Sequence, residues 1–311
     1  MERHLIKTVF LLLLSLPHVF AKDGDDALRE KLLELSNHSQ WTKVAEIPLR
    51  FNGYHTQGMV KVGDYFYLST VEVIRGTKRY EQPQGRLDRD EGEGKGHLFK
   101  FDGEGNLLHD LLLGEGAAYH PGGIDYDGKH IWVPVAEYRP YSFSIVYKVD
   151  PETMQAEEAL RYPDHIGAIV HNTDDHTLTG ATWDARELHH WRYDEQGKIT
   201  NANIPPETSA IQRRSYYVAF QDCKYIGGHL MFCSGVRGYR NESGGFRLGG
   251  WEVLDLRDNR PVVQLPVTFL SPAGNVLTGN PCTVESIENG IRAYFVPDDY
   301  EKSTLLIYEI F

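Results

Sequence analysis

One stretch of the sequence recurs along the chain, and this internal repetition limits the possible folds more than any other feature. Residues 55–73 (HTQGMVKVGDYFYLSTVEV) superpose without a gap on residues 120–138 (HPGGIDYDGKHIWVPVAEY), and a third copy begins at His165. Two further hairpins, residues 217–235 and 280–299, keep the turn and the apolar spacing but lack the histidine. Such repetition predicts one supersecondary unit used several times.

The segments between the hairpins complete this unit. Each of the first four hairpins is followed by a second pair of β-rich runs, which makes a four-stranded meander, the form of a propeller blade. The fifth is followed by one run only, and residues 41–51 (WTKVAEIPLRF) have the alternation of the missing outer strand. We predict an all-β, five-bladed β-propeller over residues 41–311, closed by this N-terminal strand, with about 54 residues per blade. The alternatives are a six-bladed ring, if the insertion at 75–96 contains strands, and a β-sandwich.

The first forty residues differ from the rest. Residues 1–21 contain basic residues, an apolar run and the sequence VFA, which are the three regions of a secretory signal peptide. The apolar run is shorter than the about 20 residues that span a membrane. We therefore expect cleavage after Ala21 and a secreted or periplasmic protein that is not held in a membrane. Residues 22–40 form a helix and linker, because leucines occur at helical spacing within 24–38.

Charge and cysteine content narrow the classes of partner. The formal net charge of −12 argues against nucleic acid, which is bound by basic surfaces, but permits a local arginine cluster that binds a small anion. We expect a monomer whose partner is a small polar molecule or a peptide. Cys223 and Cys233 lie on either side of the Gly227-Gly228 turn, so they are either a cross-strand disulfide or two buried thiols.

Histidines and carboxylates repeat at fixed places in the first three blades. His55, His120 and His165 begin the inner strands, and Glu72, Glu137 and Asp184 end the second strands of the same blades. In a propeller these two places open on the same face, close to the axis. We therefore predict that both sets meet at one mouth, where the carboxylates are candidate catalytic groups.

Three histidines that converge on an axis could bind one divalent metal, zinc or calcium, through neutral imidazoles. A bound metal could lower the pKa of a water molecule and produce a nucleophile. The alternative is that His55, His120 and His165 line a hydrated channel and bond to the neighbouring backbone.

Arginines follow the carboxylates, and long loops rise from the same face. We predict that these arginines, with one glutamine and one tryptophan, contact the ligand: Gln57, Arg75, Arg139, Arg186, Arg237 and Trp183. Arg139 and Arg186 could instead pair with the adjacent acids. Arg237 has Gly235 in place of the acid, which makes it the best candidate for an anion.

The stretch YHTQGMVKVGDYFYLSTVEV resembles the opening blade of plant-type glutaminyl cyclotransferases, through Thr56-Gln57-Gly58, Tyr67 and Ser69-Thr70. The resemblance implies a secreted five-bladed propeller that cyclises N-terminal glutamine. That family has a catalytic glutamate directly before the Ser-Thr pair, where this sequence has Leu68, so Glu72 would have to replace it. The chain is also similar to an uncharacterised group of secreted propellers, which implies a fold only.

These observations favour a binding function over an enzymatic one. The first hypothesis is a propeller that binds a small polar or anionic ligand, or a peptide end, at the mouth. The alternative is an enzyme at the same site, a cyclotransferase, a lactonase or a glycoside-type hydrolase, with or without a metal. A third hypothesis is a purely structural or protein-binding ring.

Overall fold

The part of the chain that the structure describes has one N-terminal helix followed by a ring of five antiparallel sheets. A computed structural model describes residues 23–194 and 198–311, so the predicted signal peptide lies outside the described residues. The N-terminal helix, α1, spans Asp23–Glu34, four residues shorter at its C-terminal end than predicted. Within the described residues, no helix is long and apolar enough to cross a membrane.

The strands, in chain order, are β1 (Trp41–Pro48), β2 (His55–Val62), β3 (Tyr65–Arg75), β4 (Arg79–Gln84), β5 (Leu87–Arg89), β6 (Glu93–Asp102), β7 (Leu107–Leu113), β8 (Ala118–Pro121), β9 (Asp125–Tyr126), β10 (Ile131–Glu137), β11 (Ser144–Val149), β12 (Ala156–Tyr162), β13 (Ile166–Asn172), β14 (Thr177–Thr182), β15 (Glu187–Arg192), β16 (Ile211–Gln212), β17 (Ala219–Tyr225), β18 (Leu230–Asn241), β19 (Gly244–Asp255), β20 (Arg260–Val267), β21 (Cys282–Ile287), β22 (Gly290–Phe295) and β23 (Thr304–Ile310). A short second helix, α2, spans Pro206–Ser209.

These strands form five blades, and each blade is a four-stranded meander. From the inner to the outer strand, the blades are β2-β3-β6-β7, β8/β9-β10-β11-β12, β13-β14-β15-β16, β17-β18-β19-β20 and β21-β22-β23-β1. Between the end of β3 and the start of β6, the insertion at 75–96 forms the two-stranded hairpin β4-β5, so it is not a sixth blade. The predicted five-bladed β-propeller is confirmed.

The fifth blade closes the ring with a strand from the other end of the propeller domain. β1 pairs antiparallel with β23, from Trp41 opposite Ile310 to Pro48 opposite Thr304. The prediction that residues 41–51 supply the missing outer strand is therefore confirmed, although the strand ends at Pro48. This pairing completes the fifth blade and joins the start of the propeller domain to its last strand.

Glycines let the inner strands touch at the axis. A Cβ atom on Gly58 would lie 2.6 Å from the Ile124 nitrogen, and one on Gly123 would lie 2.6 Å from the Gln221 oxygen. The Gly123 N–H donates to the Gly167 carbonyl at 2.8 Å. Because only glycine permits backbones to approach this closely, the repeated glycines of the inner strands are required by the packing at the axis.

A buried carboxylate joins four blades below these glycines. Asp222 on β17 accepts hydrogen bonds from the backbone N–H groups of Met59 (2.8 Å), Ile124 (3.0 Å) and Cys282 (3.2 Å). The Lys224 ammonium also donates to Asp222, at 2.5 Å. Asp222, Lys224 and Asp125, which accepts hydrogen bonds from the N–H groups of the third and fourth blades, are called the axial carboxylate cluster below.

A disulfide joins the inner strand β17 to its neighbour β18. Cys223 and Cys233 are directly opposite in the β17–β18 register and are bonded to each other. Of the two alternatives that the sequence left open, the structure has the disulfide. Cys282 is free and buried.

The helix α1 covers the face where the β17–β18 and β21–β22 turns lie. Its Leu28 and Leu32 pack with Ile226 and Leu230 in one apolar cluster. Lys31 donates to the Ser286 hydroxyl at 2.9 Å. Since the inner strands begin at the opposite end of each blade, α1 leaves the mouth of the propeller uncovered.

Candidate ligand-binding site

A cavity of about 290 Å³ opens on the axis where the inner strands begin. It is called the central cavity below, and its volume is near the lower end of the range for small-molecule sites. All five blades contribute to its lining, which includes His55, Gln57, His120, Tyr138, His165, Trp183, Phe220, Gln221, Asn280 and Asp299. The sequence repeat explains this convergence, because equivalent positions of successive blades are brought to the same radius.

The three predicted histidines lie side by side in this cavity. The ring of His120 is 6.1 Å from that of His55 and 6.2 Å from that of His165, centroid to centroid. Tyr138 stacks on His120 with a centroid distance of 4.0 Å, and Trp183 meets His165 edge to face at 4.8 Å. The structure therefore brings these imidazoles together with an aromatic wall; they are called the histidine cluster below.

The outer two histidines of the cluster are held by acceptors on the protein. His165 Nδ1 donates to the backbone carbonyl of Glu137 at 2.8 Å. His55 Nδ1 lies 2.9 Å from an oxygen of Asp299, a carboxylate that the sequence reasoning did not select. These bonds place the proton on Nδ1 of both rings and leave Nε2 as the acceptor.

His120, between them, has no such support. Its side chain is buried, and neither ring nitrogen has a hydrogen-bond partner among the described residues. Burial lowers the pKa of His120 well below its ordinary value, and burial also lowers the pKa of His165 to about 4. Both imidazoles are therefore neutral at neutral pH, and they offer hydrogen bonds or lone pairs rather than positive charge.

The predicted carboxylates do not all reach the cavity. Asp184 lines it, but Glu72 and Glu137 are not among its lining residues. Glu72 stands opposite Lys95 in the β3–β6 register and is held by that ammonium at 2.9 Å. The Glu137 carboxylate accepts a hydrogen bond from Arg139 at 2.5 Å, so Glu137 contributes to the site through its carbonyl instead.

The predicted arginines also differ in whether they line a cavity or are held by a neighbouring carboxylate. Arg75 pairs with Asp90 at 2.8 Å, and Arg139 is occupied by Glu137, as the alternative interpretation for Arg139 expected. Arg186 pairs with Asp184 at 3.2 Å but also lines a second cavity, together with Arg237. Gln57 lines the central cavity and donates to its neighbouring carbonyl at 2.9 Å.

The second cavity lies beside the first and has a volume of about 880 Å³. The two cavities share Thr182, Trp183 and Asp184 in their linings, so they form one continuous depression. Five arginines line the second cavity, which is called the arginine groove below: Arg79, Arg86, Arg89, Arg186 and Arg237. The β4-β5 hairpin supplies the first three, which explains what the long insertion in the first blade contributes.

A comparison with known protein families identifies the family of this chain. Residues 22–311 match a family of unknown function, DUF6454. The chain belongs to this family. No curated protein matches it.

Solved structures resemble the chain at low sequence identity. The tail fibre of Staphylococcus aureus phage P68 is 8% identical, with a TM-score of 0.49 over 89% of this chain and 54% of that one. The chain thus spans about half the length of the tail fibre. A luciferin-regenerating enzyme is 10% identical, with a TM-score of 0.45 over 88% of this chain and 95% of that one.

The fifth blade contributes two lining residues that the sequence reasoning missed. Asn280 begins the fifth copy of the repeat at the place of the histidine, and Asp299 ends it. The Asn280 amide donates to Asp299 at 2.9 Å, which fixes the carboxylate that holds His55. Their positions in the fifth copy of the repeat could have identified them. The residue types differ from those of the first three copies, but the fold brings equivalent positions to the same cavity.

A metal site remains a prediction. Within residues 23–194 and 198–311, no three or more His, Cys, Asp or Glu side chains are grouped closely enough to hold a metal ion in their present positions. The histidine cluster would have to turn its rings inward to do so.

Proposed function

We propose that the protein binds a small polar ligand, or the polar end of a peptide, in the central cavity. The observation that carries this proposal is the histidine cluster, in which neither nitrogen of the buried His120 is bonded to any residue within 23–194 and 198–311. A buried polar group without a hydrogen bond costs about 1–3 kcal/mol, so such a group is retained where a ligand supplies the bond.

The remaining lining suits the same class of ligand. Amide side chains (Gln57, Gln221, Asn280) offer both donors and acceptors, while Tyr138 and Trp183 offer flat apolar faces. Few well-placed polar groups among aromatic walls are typical of sites for small polar molecules. The volume corresponds to about ten water molecules at ~30 Å³ each, which limits the part of the ligand that enters.

The test is a thermal-shift panel of hexoses, amino acids, dicarboxylates and short peptides with free termini. A ligand that binds the folded state raises the melting temperature, and we expect one class to do so by several degrees at millimolar concentration. His120→Phe keeps the ring but removes both nitrogens, so it should abolish the shift. His109→Phe, at an exposed histidine on β7, is the matched control and should retain it. An equal shift in both variants, or no shift with any class, would contradict the proposal.

A second candidate is an enzyme at the same site, because the Asp299–His55 pair orients an imidazole in the cavity. A carboxylate that holds Nδ1–H leaves Nε2 able to take a proton, as a general base must. We propose three reactions for testing: cyclisation of N-terminal glutamine, opening of a lactone and hydrolysis of a glycoside.

The glutaminyl cyclotransferase reaction would need an acid/base other than the one in that family. Leu68, at the position of the family's glutamate, is fully buried in an apolar cluster, and Glu72 is held by Lys95. If the cyclisation occurs, Asp299→Asn should lower its rate at least a hundredfold, whereas Asp258→Asn at a distant turn should not. Turnover that is unchanged in Asp299→Asn would exclude this pair as the base.

A divalent metal, zinc or calcium, is proposed as an optional part of this enzyme. Acceptors on Nδ1 of His55 and His165 leave Nε2 for a metal, which is the arrangement that supports histidine ligands. Elemental analysis of the purified protein and of His120→Ala tests this: stoichiometric metal that is lost in the variant supports it, and its absence from both contradicts it.

We propose also that the protein works outside the cytoplasm, in the periplasm or after secretion. The Cys223–Cys233 disulfide supports this, because such bonds persist in oxidising compartments. Fractionation of the source cells, followed by mass spectrometry of the N-terminus, tests both the location and cleavage after Ala21.

A further inference from the structure

The arginine groove has more arginines than carboxylates in its lining, on an acidic protein. The chain has a formal net charge of −12, yet five arginines line this one groove. Four carboxylates also line the groove, and each is already engaged. Asp88 pairs with Arg79 and Arg89, and Asp184 pairs with Arg186. Asp164 lies beside His189, and Glu187 accepts a hydrogen bond from Gln212. The groove therefore concentrates guanidinium groups beside the central cavity.

Two of these guanidinium groups have no carboxylate partner among the described residues. Arg237 takes part in none of the ion pairs there, and its Nε is buried without a hydrogen bond. Arg86 lies over the ring of Tyr141 at 4.0 Å and has no ion pair within the described part of the chain. Stacking of a guanidinium on an aromatic ring fixes its plane while its N–H edge stays free for an oxyanion.

Trp183 connects the groove to the central cavity. Arg89 lies 4.9 Å over its ring, and the same ring contacts His165 on the cavity side. A ligand that contacts Trp183 would therefore extend from the histidine cluster to the arginines.

We propose that the arginine groove is a second subsite, which binds the oxyanion of the same ligand, a carboxylate or a phosphate. This inference rests on the proposed function and adds that the ligand has two chemically different ends: a neutral polar end in the central cavity and an anionic end in the groove. Arg237 and Arg86 bind the anion through paired N–H donors, which suit the geometry of both anions.

The test uses pyrophosphate and citrate as separate probes, titrated calorimetrically at low ionic strength. The double variant Arg237→Ala/Arg86→Ala should bind each probe at least tenfold more weakly than the wild type. Arg237→Lys keeps the charge but loses the paired N–H donors, so its affinity should lie between those of the wild type and the double variant. Arg260→Ala, at an exposed arginine beside Asp258, is the matched control and should bind as the wild type does. Tighter binding of pyrophosphate indicates a phosphate ligand, and tighter binding of citrate a carboxylate.

Two outcomes would overturn the proposal: neither probe binds the wild type, or the groove variants bind as tightly as Arg260→Ala. Melting temperatures of all variants confirm that they are folded. His120→Phe is tested with the ligand class found in the thermal-shift panel, and the arginine variants are tested with these two probes. A failure of the proposed ligand binding in the central cavity and a failure of the proposed anion binding in the groove are thus detected with different variants.

Discussion

Two polar clusters lie on the axis of this propeller, and they differ in how their polar atoms are satisfied. In the axial carboxylate cluster, Asp222 accepts three backbone N–H groups, and Lys224 donates to Asp222 and, at 2.7 Å, to the Ile124 carbonyl. Burial raises the pKa of Asp222 to about 6 and that of Asp125 to about 7. In the histidine cluster, both nitrogens of His120 lack partners in the part of the chain that the structure describes.

Under the proposed function, this difference separates polar groups that stabilise the fold from polar groups that bind the ligand. Buried charges are tolerated when each is paired and hydrogen-bonded, and the axial carboxylate cluster meets this condition with bonds to several blades. The nitrogens of His120 contribute no bond to the fold. Both clusters lie on the axis and both contain titratable side chains, so hydrogen-bond satisfaction is the property that distinguishes their roles.

The largest effect is expected from Asp222→Ala. The substitution leaves three backbone N–H groups and the Lys224 ammonium buried without their acceptor, and the loss of one partner of a buried ion pair costs about 3–5 kcal/mol. The free energy of unfolding, measured by denaturant titration, should fall by this amount. Asp184→Ala, in the central cavity, should lower the free energy of unfolding by less than about 1 kcal/mol. Equal losses in the two variants would contradict the distinction between the two clusters.

The disulfide beside Asp222 should give the next largest effect. Replacement of Cys223 and Cys233 by alanine removes a short cross-link from the strand that carries Asp222 and Lys224, at an expected cost of about 2–3 kcal/mol. Added reductant should lower the melting temperature of the wild type but not that of the double variant. An unchanged wild-type melting temperature in reductant would show that this strand needs no cross-link.

The pH dependence should reveal the burial of His165. Its pKa is about 4 in the folded protein and about 6.5 when unfolded, so between these values the unfolded state takes up a proton that the folded state does not. Stability therefore falls as the pH decreases from 6.5 towards 4, by about 2 kcal/mol at pH 5 from this residue.

Denaturant titrations at pH 7 and pH 5 measure this difference. His165→Gln, which keeps a polar side chain without a titratable group, should lose about 2 kcal/mol less than the wild type between these pH values. The same pH dependence in both proteins would show that the His165 ring is accessible to protons in the folded state.

The smallest effect is expected from His120→Phe, and it has the opposite sign. The phenyl ring can stack on Tyr138 as the imidazole does, and it removes two buried nitrogens that have no partner. The free energy of unfolding should rise by up to about 1 kcal/mol while ligand binding is lost. A loss of stability would mean that the nitrogens support the fold.

The repeated features of the fold could be predicted from the sequence. The hairpins at 55–73 and 120–138 share their turn glycines, Gly63 and Gly128, which both adopt positive φ in the structure. Strand alternation then placed residues 41–51 as the missing outer strand. These signals are local, since turn geometry and the alternation of side chains depend on a few neighbouring residues.

The candidate site was only partly predictable. The repeat brought His55, His120 and His165 together, but it could not show that Glu72 faces Lys95 or that Glu137 acts through its carbonyl. Those details depend on cross-strand register and side-chain direction, which a shared place in the repeat does not determine. Asp299 was missed because its role depends on contact between the first and last blades.

Because β1 pairs with the last strand of the chain, it is synthesised long before its partner. β1 leaves the ribosome about 260 residues before its partner β23, which at 5–20 residues per second is a delay of roughly 13–50 s. During this time β1 has no neighbour in its own sheet. Its sequence suits the delay, because Lys43 and Glu46 form an exposed ion pair at 2.7 Å and Pro48 lacks an N–H group. Charged residues and proline on an unpaired strand discourage pairing with other chains, so the strand can remain available for the blade that is made last.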